Sequence, residues 1–293
     1  MNTSQHSNAP YELVAQERQL VDIIYNEDCF DTMARMSDGM CNVVLTSPFY
    51  NTSRNIKTER AFKHHEGRYD VFVDSMTDEE YCYFTARLFT AFDRILSPNG
   101  VVLYNINYGC ENRDGMFKAI NSIVCDTPFT IADVISWKKR SALPNNVSPN
   151  KLTRITEFVF VFCRRDEEDT FFCNKPVAKE NSKQTIYRNI FNFIEAANND
   201  GSCDFHKATY STELCTKLLD IYAPPSAVVY DPFMGTGTTA VAALMRDLHY
   251  VGSDISERYC DFARQRIEQF LLSGRTWSKT PCAPQHVQLD LFK

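Results

Sequence analysis

The chain contains no run of roughly 18 apolar residues, so it offers no helix able to span a bilayer. Met1 to Pro10 is polar and lacks the apolar centre of a secretory signal, which predicts a cytoplasmic protein. Positive charge is not in excess. The formal net charge is −6, which argues against tight, indiscriminate polyanion binding and leaves room only for a localised basic face. The 11 cysteines are scattered and include no CxxC pair, so a disulfide framework is a poor reading and free thiols in a reducing compartment fit better. Cys163, Cys173, Cys203 and His206 match no metal-ligand spacing. The cysteines are read as small apolar residues, and no metal is expected. Internal repeats and low-complexity tracts are also missing, and 293 residues suffice for one large domain or one domain with an insert.

What remains is an alternation of short apolar runs with helical patterns, which predicts an α/β fold around a doubly wound, largely parallel sheet. Candidate strands are Val43 to Thr46, Gly100 to Tyr104, Thr130 to Trp137, Phe158 to Cys163, Val228 to Asp231 and Tyr250 to Asp254. Tyr81, Phe84, Leu88, Phe92 and Ile95 recur at three- and four-residue steps, which predicts a helix over Asp78 to Leu96. Ser97-Pro98-Asn99-Gly100 then turns the chain into the next strand. Two more helices are expected, a short Ala-rich one at Thr238 to Arg246 and an amphipathic one at Ser256 to Leu272. Asp166 to Phe205 is polar and breaks this rhythm, as an inserted element would. The tail from Gly274 reads as extended chain.

The strongest local signal is Val228 to Thr239, where a buried strand ends in Asp231 and runs through Pro232-Phe233-Met234-Gly235-Thr236-Gly237 into a helix at Thr238. Glycine lets the backbone turn sharply and admits a ligand without an intervening Cβ. The next strand ends in Asp254, 23 residues beyond Asp231, where an acid can accept hydrogen bonds from ribose hydroxyls. There is no Gly-Lys-Ser/Thr and no GxGxxG, so the loop is not an ordinary phosphate cradle. Asp231 would repel a phosphate and attract the ammonium of an amino acid. A nucleoside carrying an amino acid, S-adenosylmethionine, is the cofactor this combination favours.

A second loop, Thr46-Ser47-Pro48-Phe49-Tyr50-Asn51, follows the strand Val43 to Leu45. In open α/β sheets such a loop faces the ligand crevice. An exocyclic amino group of cytosine or adenine is a poor nucleophile because its lone pair is delocalised into the ring. Two acceptors aimed at its N–H bonds, Ser47 Oγ and the Pro48 carbonyl, would pull the nitrogen towards tetrahedral geometry in the transition state. Tyr50 offers a flat face for a base swung out of the duplex.

The two loops, in this order, resemble those of the β-class DNA amino-methyltransferases, with catalytic loop (D/S/N)PP(Y/F) and cofactor loop DPFxGxGTT. The likeness extends over roughly Ile24 to Phe270. It implies a methyltransferase fold of Rossmann-like type in permuted motif order, with a small target-recognition insert. On that pattern residues 21–165 form the catalytic half, 166–204 the insert and 205–273 the cofactor-binding half, between a polar segment 1–20 and a tail 274–293. The resemblance makes Ser47, Pro48, Phe49 and Tyr50 the catalytic residues. It makes Asp28, Cys29, Asp231, Phe233, Gly235, Thr236, Gly237, Thr238, Asp254 and Ile255 cofactor contacts. Trp137-Lys138 and Arg154 to Phe158 resemble the strand pair ahead of the recognition region. Two departures stand out: Phe49 replaces the second proline of the catalytic loop, and Lys207 replaces the proline that often follows the histidine His206. Ser47 is similar to the serine of cytosine-N4 enzymes, whereas adenine-N6 enzymes mostly carry Asp there. Asn51 also occurs in adenine-type loops, so cytosine N4 is the favoured target and adenine N6 the alternative.

Basic residues flank these motifs. Arg54, Lys57 and Arg60 lie just beyond the catalytic loop, and Lys138, Lys139, Arg140 and Arg154 form a second group. Beside such motifs they are expected to meet the phosphates of double-stranded DNA. A homodimer is a further implied assembly. Gln288-Leu289-Asp290-Leu291-Phe292 is similar to the short peptides that dock on the bacterial sliding clamp. Methylation of RNA or protein, or nucleic-acid binding without catalysis, are the competing readings.

Overall fold

The computed structural model describes residues 20–51, 70–71, 76–108, 112–142, 149–201, 206 and 209–273. Within them the chain runs β1 (Ile23–Asn26), α1 (Cys29–Arg35), β2 (Cys41–Thr46), α2 (Asp78–Ile95), β3 (Leu96–Ile106), α3 (Gly115–Asp126), β4 (Phe129–Lys139) and β5 (Thr156–Arg164). After a short 3-10 turn come β6 (Val177–Glu180), β7 (Thr185–Tyr187), β8 (Phe193–Ala196), α4 (Thr212–Tyr222), β9 (Val228–Asp231), α5 (Thr238–Leu244), β10 (His249–Asp254) and α6 (Glu257–Leu272).

Eight strands form one sheet in the order β1-β10-β9-β2-β3-β5-β4-β8, and only β5 runs against the others. Alternate side chains of a strand point to opposite faces, so buried strands feed two cores. Val43, Leu45, Val101, Leu103, Val159 and Val161 join the core under α4, α5 and α6. Val44, Val102, Tyr104, Phe160 and Phe162 join the aromatic-rich core under α1, α2 and α3. Strands with both faces covered read as continuous apolar runs, and Val101 to Tyr104 shows why β3 is legible in the sequence.

Local chemistry sets where the helices begin. Thr77 caps α2 by accepting from Glu80 N at 3.1 Å, and the Glu80 carboxylate accepts from Thr77 N at 2.8 Å, a reciprocal capping box. Ser256 caps α6 through Tyr259 N at 3.2 Å. The expected turn at Ser97–Gly100 exists in a different form. Leu96 already pairs with Cys41 and Val101 with Val43, so residues 97–100 bulge out between them, with Asn99 at φ +61.

The polar stretch after Asp166 divides in two. Among the described residues β6 and β7 pair only with each other, whereas β8 is drawn into the main sheet beside β4. β1, α1, α3, β6, β7, β8 and α4 add to the elements expected from the sequence.

The topology positions the site. From β9 the chain passes through α5 to β10 on one side, while from β2 it passes through α2 to β3 on the other. β2 and β9 are neighbours, so the winding reverses between them and a crevice opens beyond their C-terminal ends, at Thr46 and Asp231.

Candidate active site

Both loops singled out in the sequence leave the sheet at this crevice. The first is tied down at every residue from Thr46 to Asn51 except Pro48. Thr46 Oγ1 donates to Asp231 Oδ1 at 2.8 Å. Tyr81 of α2 donates its hydroxyl to the Phe49 carbonyl at 2.6 Å. Tyr50 Oη lies 3.2 Å from Ser47 Oγ and donates towards Asn105 Oδ1 and Glu157 Oε2, each at 3.1 Å. Asn51, in the left-handed region at φ +50 where asparagine is tolerated, donates from Nδ2 to the Met76 carbonyl at 2.9 Å.

Phe49 has a physical account here. Its ring packs against Phe84 at 5.3 Å, Tyr81 at 5.4 Å and Phe233 at 6.2 Å between centroids. A proline in its place could not join the catalytic loop to α2 and to the glycine loop in this way.

The second loop starts at Asp231, which is fully buried. Its carboxylate accepts from Thr46 Oγ1, from Phe233 N at 3.0 Å, from Thr239 Oγ1 at 2.5 Å and from Tyr210 Oη at 3.1 Å. Burial pushes this carboxyl above its ordinary range, against the pull of those donors. The carboxylate expected to face a ligand's ammonium thus accepts from four donors of the protein's own. The carboxylate stands behind the wall of the crevice and organises the loop from within. Gly237 stands at φ +81, and a Cβ there would lie 2.8 Å from Ala263 Cβ of α6, so the position demands glycine on both counts. Arg266 braces the loop by donating to the Thr236 carbonyl at 2.8 Å and to Thr238 Oγ1 at 3.2 Å.

Between the loops lies a cleft of about 350 Å³. Of the residues named from sequence, Asp28, Cys29, Ser47, Phe49, Phe233, Gly235, Thr236, Thr238, Asp254 and Ile255 line it, whereas Pro48, Tyr50, Asp231 and Gly237 do not. Glu27 and Asp70 add carboxylates, Phe30, Phe84 and Met234 add apolar surface, and Arg87 adds a cation, stacked over Phe30 at 3.7 Å. Such a wall suits a nucleoside bearing positive charge and opposes a phosphate.

Asp254 Oδ2 accepts from Gly235 N at 2.8 Å and Oδ1 from Ser256 N at 2.9 Å, and burial raises its pKa to about 6. Glu27 is held below the usual carboxylate range by the Arg35 guanidinium. Asp28 caps α1 through Phe30 N at 2.8 Å, and burial pushes the Cys29 thiol up to about 12, so it is no thiolate nucleophile.

The basic residues divide. Arg54, Lys57 and Arg60 lie outside the described residues, as does the peptide Gln288 to Phe292. Lys138 pairs with Glu195 at 2.6 Å and Arg140 with Glu213 at 2.6 Å, both at the surface. Arg154 donates to the Tyr108 carbonyl and covers that ring at 5.0 Å. Lys139 is turned inwards, 2.5 Å from Glu157 Oε1 and 4.9 Å over the Trp137 ring, so it is no free phosphate contact. Sequence reasoning passed over Asn105, Tyr210 and Arg266, and gave Tyr81 and Glu157 no role in the site. Each is an ordinary residue of its element until the fold places it.

The sheet, its switch point and the acid-lined cleft define an S-adenosylmethionine-dependent methyltransferase fold. The profile of the DNA methylase family of N6 and N4 enzymes matches residues 41–265. The chain is 22% identical over 280 residues to the type II methyltransferase M.Cfr9I of Citrobacter freundii, covering 84% of this chain and 87% of the relative. It is also 22% identical over 263 residues to the type II methyltransferase M.HinfI of Haemophilus influenzae, covering 84% and 68%. The solved structure of the cytosine-N4-specific PvuII DNA methyltransferase superposes with a TM-score of 0.64 at 16% identity, over 85% of this chain and 89% of that one. That of M1.HpyAVI gives 0.55 at 17% identity, over 83% and 97%. The chain belongs to the DNA methylase family and is an S-adenosylmethionine-dependent DNA amino-methyltransferase. None of the described helices is long and apolar enough to cross a membrane.

Proposed function

We propose that the protein methylates an exocyclic amino group of a base flipped out of double-stranded DNA, with cytosine N4 favoured over adenine N6. One observation carries the reading: Ser47 lines the same cleft as Phe233, Gly235 and Asp254 of the glycine-loop side. S-adenosylmethionine, when bound in that cleft, supplies an electrophilic methyl group on a sulfonium. Asp254 and Glu27 are the acceptors suited to ribose hydroxyls, and Phe49, Phe233 and Met234 the apolar surface suited to the nucleoside.

The chain's own part is orientation. Ser47 Oγ and the Pro48 carbonyl accept from the two N–H bonds of the target amino group and favour a tetrahedral nitrogen, an effect realised in the transition state. Tyr50 flanks the extruded base. Arg54, Lys57, Arg60, Lys138, Arg140 and Arg154 face the phosphates, and residues 166–204 read the target. Serine in place of a carboxylate at position 47 supports cytosine. The name of the relative solved as cytosine-N4-specific points the same way. Docking of Gln288, Leu289, Asp290, Leu291 and Phe292 on a sliding clamp, and self-association into a homodimer, are proposals about assembly that a clamp pull-down and a sedimentation run address.

The test is mass spectrometry of nucleosides from DNA incubated with the protein and S-adenosylmethionine. N4-methylcytosine is expected. N6-methyladenine would retain amino methylation and overturn the cytosine preference, and no methylated nucleoside on several DNAs would overturn the function.

A further inference from the structure

Serine is ambiguous as an orienting group because its hydroxyl can donate or accept. The surroundings of Ser47 remove that ambiguity. Its Oγ lies 3.2 Å from Tyr50 Oη, which also lies 3.1 Å from Asn105 Oδ1 and 3.1 Å from Glu157 Oε2. Both only accept. The Asn105 amide is oriented by donation from its Nδ2 to the Phe158 carbonyl at 3.0 Å, which leaves Oδ1 towards Tyr50. Glu157 is a carboxylate ion-paired with Lys139 Nζ at 2.5 Å, in a partly buried setting where side-chain exposures are 14% and 25%. A phenol has one proton, and these two acceptors draw it to their side. The Tyr50 oxygen is left to Ser47 as an acceptor, so Ser47 makes that contact by donating.

We propose that the Lys139–Glu157 pair fixes the proton direction of a chain from Ser47 through Tyr50 to Asn105 and Glu157, so that Ser47 presents only lone pairs to the amino group being methylated. The chain gives a neutral serine the acceptor-only character that a carboxylate has by nature. Glu157, Lys139 and the Tyr50 hydroxyl are positioning groups acting through Ser47. The inference rests on the amino-methylation reading above and deepens it.

Glu157→Gln tests it, because glutamine keeps the shape and changes the polarity. Lys139 only donates, so it holds the amide oxygen, and the amide NH2 turns to Tyr50 and competes with Ser47 for the phenol oxygen. Methyl transfer to duplex DNA at saturating cofactor is measured for wild type, E157Q, E157D, Y50F and Y50F/E157Q, with cofactor Kd by calorimetry. E157Q is expected to lower kcat roughly 10- to 100-fold at unchanged cofactor Kd. E157D, which keeps an acceptor carboxylate, is expected to retain more activity than E157Q. With Tyr50→Phe in place the chain is already cut, and E157Q should add less than about twofold. Wild-type kcat in E157Q, an E157D activity below that of E157Q, or an undiminished E157Q effect beside Y50F overturns the inference. No methyl transfer by the wild-type protein overturns instead the reading on which it rests.

Discussion

Thr46 Oγ1 donates to Asp231 Oδ1 at 2.8 Å, and this bond joins the strand end that launches the catalytic loop to the one that launches the cofactor loop. Both side chains are fully buried. The distance between the loops is therefore set by a contact inside the protein and does not depend on a ligand.

Asp231→Ala strands the donors of Thr46, Thr239, Tyr210 and Phe233 in the core. A cost of about 2–4 kcal/mol is expected, seen as a lowered Tm, together with weaker cofactor binding as the loop loosens. Thr46→Val, which removes one of those donors, should cost about 1 kcal/mol. An unchanged melting curve for Asp231→Ala would show that the carboxylate does not organise the loop.

Ser47→Ala removes an orienting acceptor without touching the glycine loop. Turnover should fall about 100-fold or more while cofactor affinity stays close to wild type. Single-turnover kinetics and calorimetry on the same preparation separate the two. A parallel loss of affinity would mean that Ser47 binds cofactor and does not act on the base.

Asp254 makes cofactor binding depend on pH. With its pKa raised to about 6 by burial, it takes up a proton as pH falls through that value and loses acceptor capacity in the cleft. Affinity for S-adenosylmethionine should weaken below about pH 6, and Asp254→Asn should flatten the profile. Stability runs the other way. A raised folded-state pKa means that the folded protein holds this proton more tightly than the unfolded chain. The group's stabilising contribution is thus complete below the unfolded value and lost as pH rises through about 6. Binding titrations and melts across about pH 5 to 8 should therefore slope in opposite senses for this group.

Phe49→Ala should destabilise the protein by about 3–5 kcal/mol, the range for deleting a buried phenyl ring. Phe233 and Phe84 lose a shared partner, so methyl transfer should fall in protein that is still folded. A folded variant with wild-type turnover would show that the ring merely fills space.

Much of this was legible in the sequence, for identifiable reasons. Strands buried on both faces, such as Val101 to Tyr104, carry an apolar run that no loop would carry. The period of Tyr81, Leu88, Phe92 and Ile95 marks α2 to within a residue of its end. β6 and β7 escaped because every residue but one is exposed and their order comes from pairing. β1 escaped because four residues show no period. The two loops were found because their residue types are unusual. Glu157, Asn105 and Tyr210 were not, because a lone polar residue in a strand or loop acquires a role only from what the fold brings opposite it. Asp231 was found from its motif, but that position does not reveal the four donors its carboxylate accepts from inside the protein.

The pairing of β2 with β9 has a kinetic consequence. The Thr46–Asp231 contact spans 185 residues, and β1 at the start of the sheet waits for β10. On a ribosome the first half of the sheet must remain with an open edge at β2 until the last quarter of the chain emerges. The sheet is thus bound to close late, and the newborn chain carries an apolar strand, β2, with one edge unpaired until β9 is made.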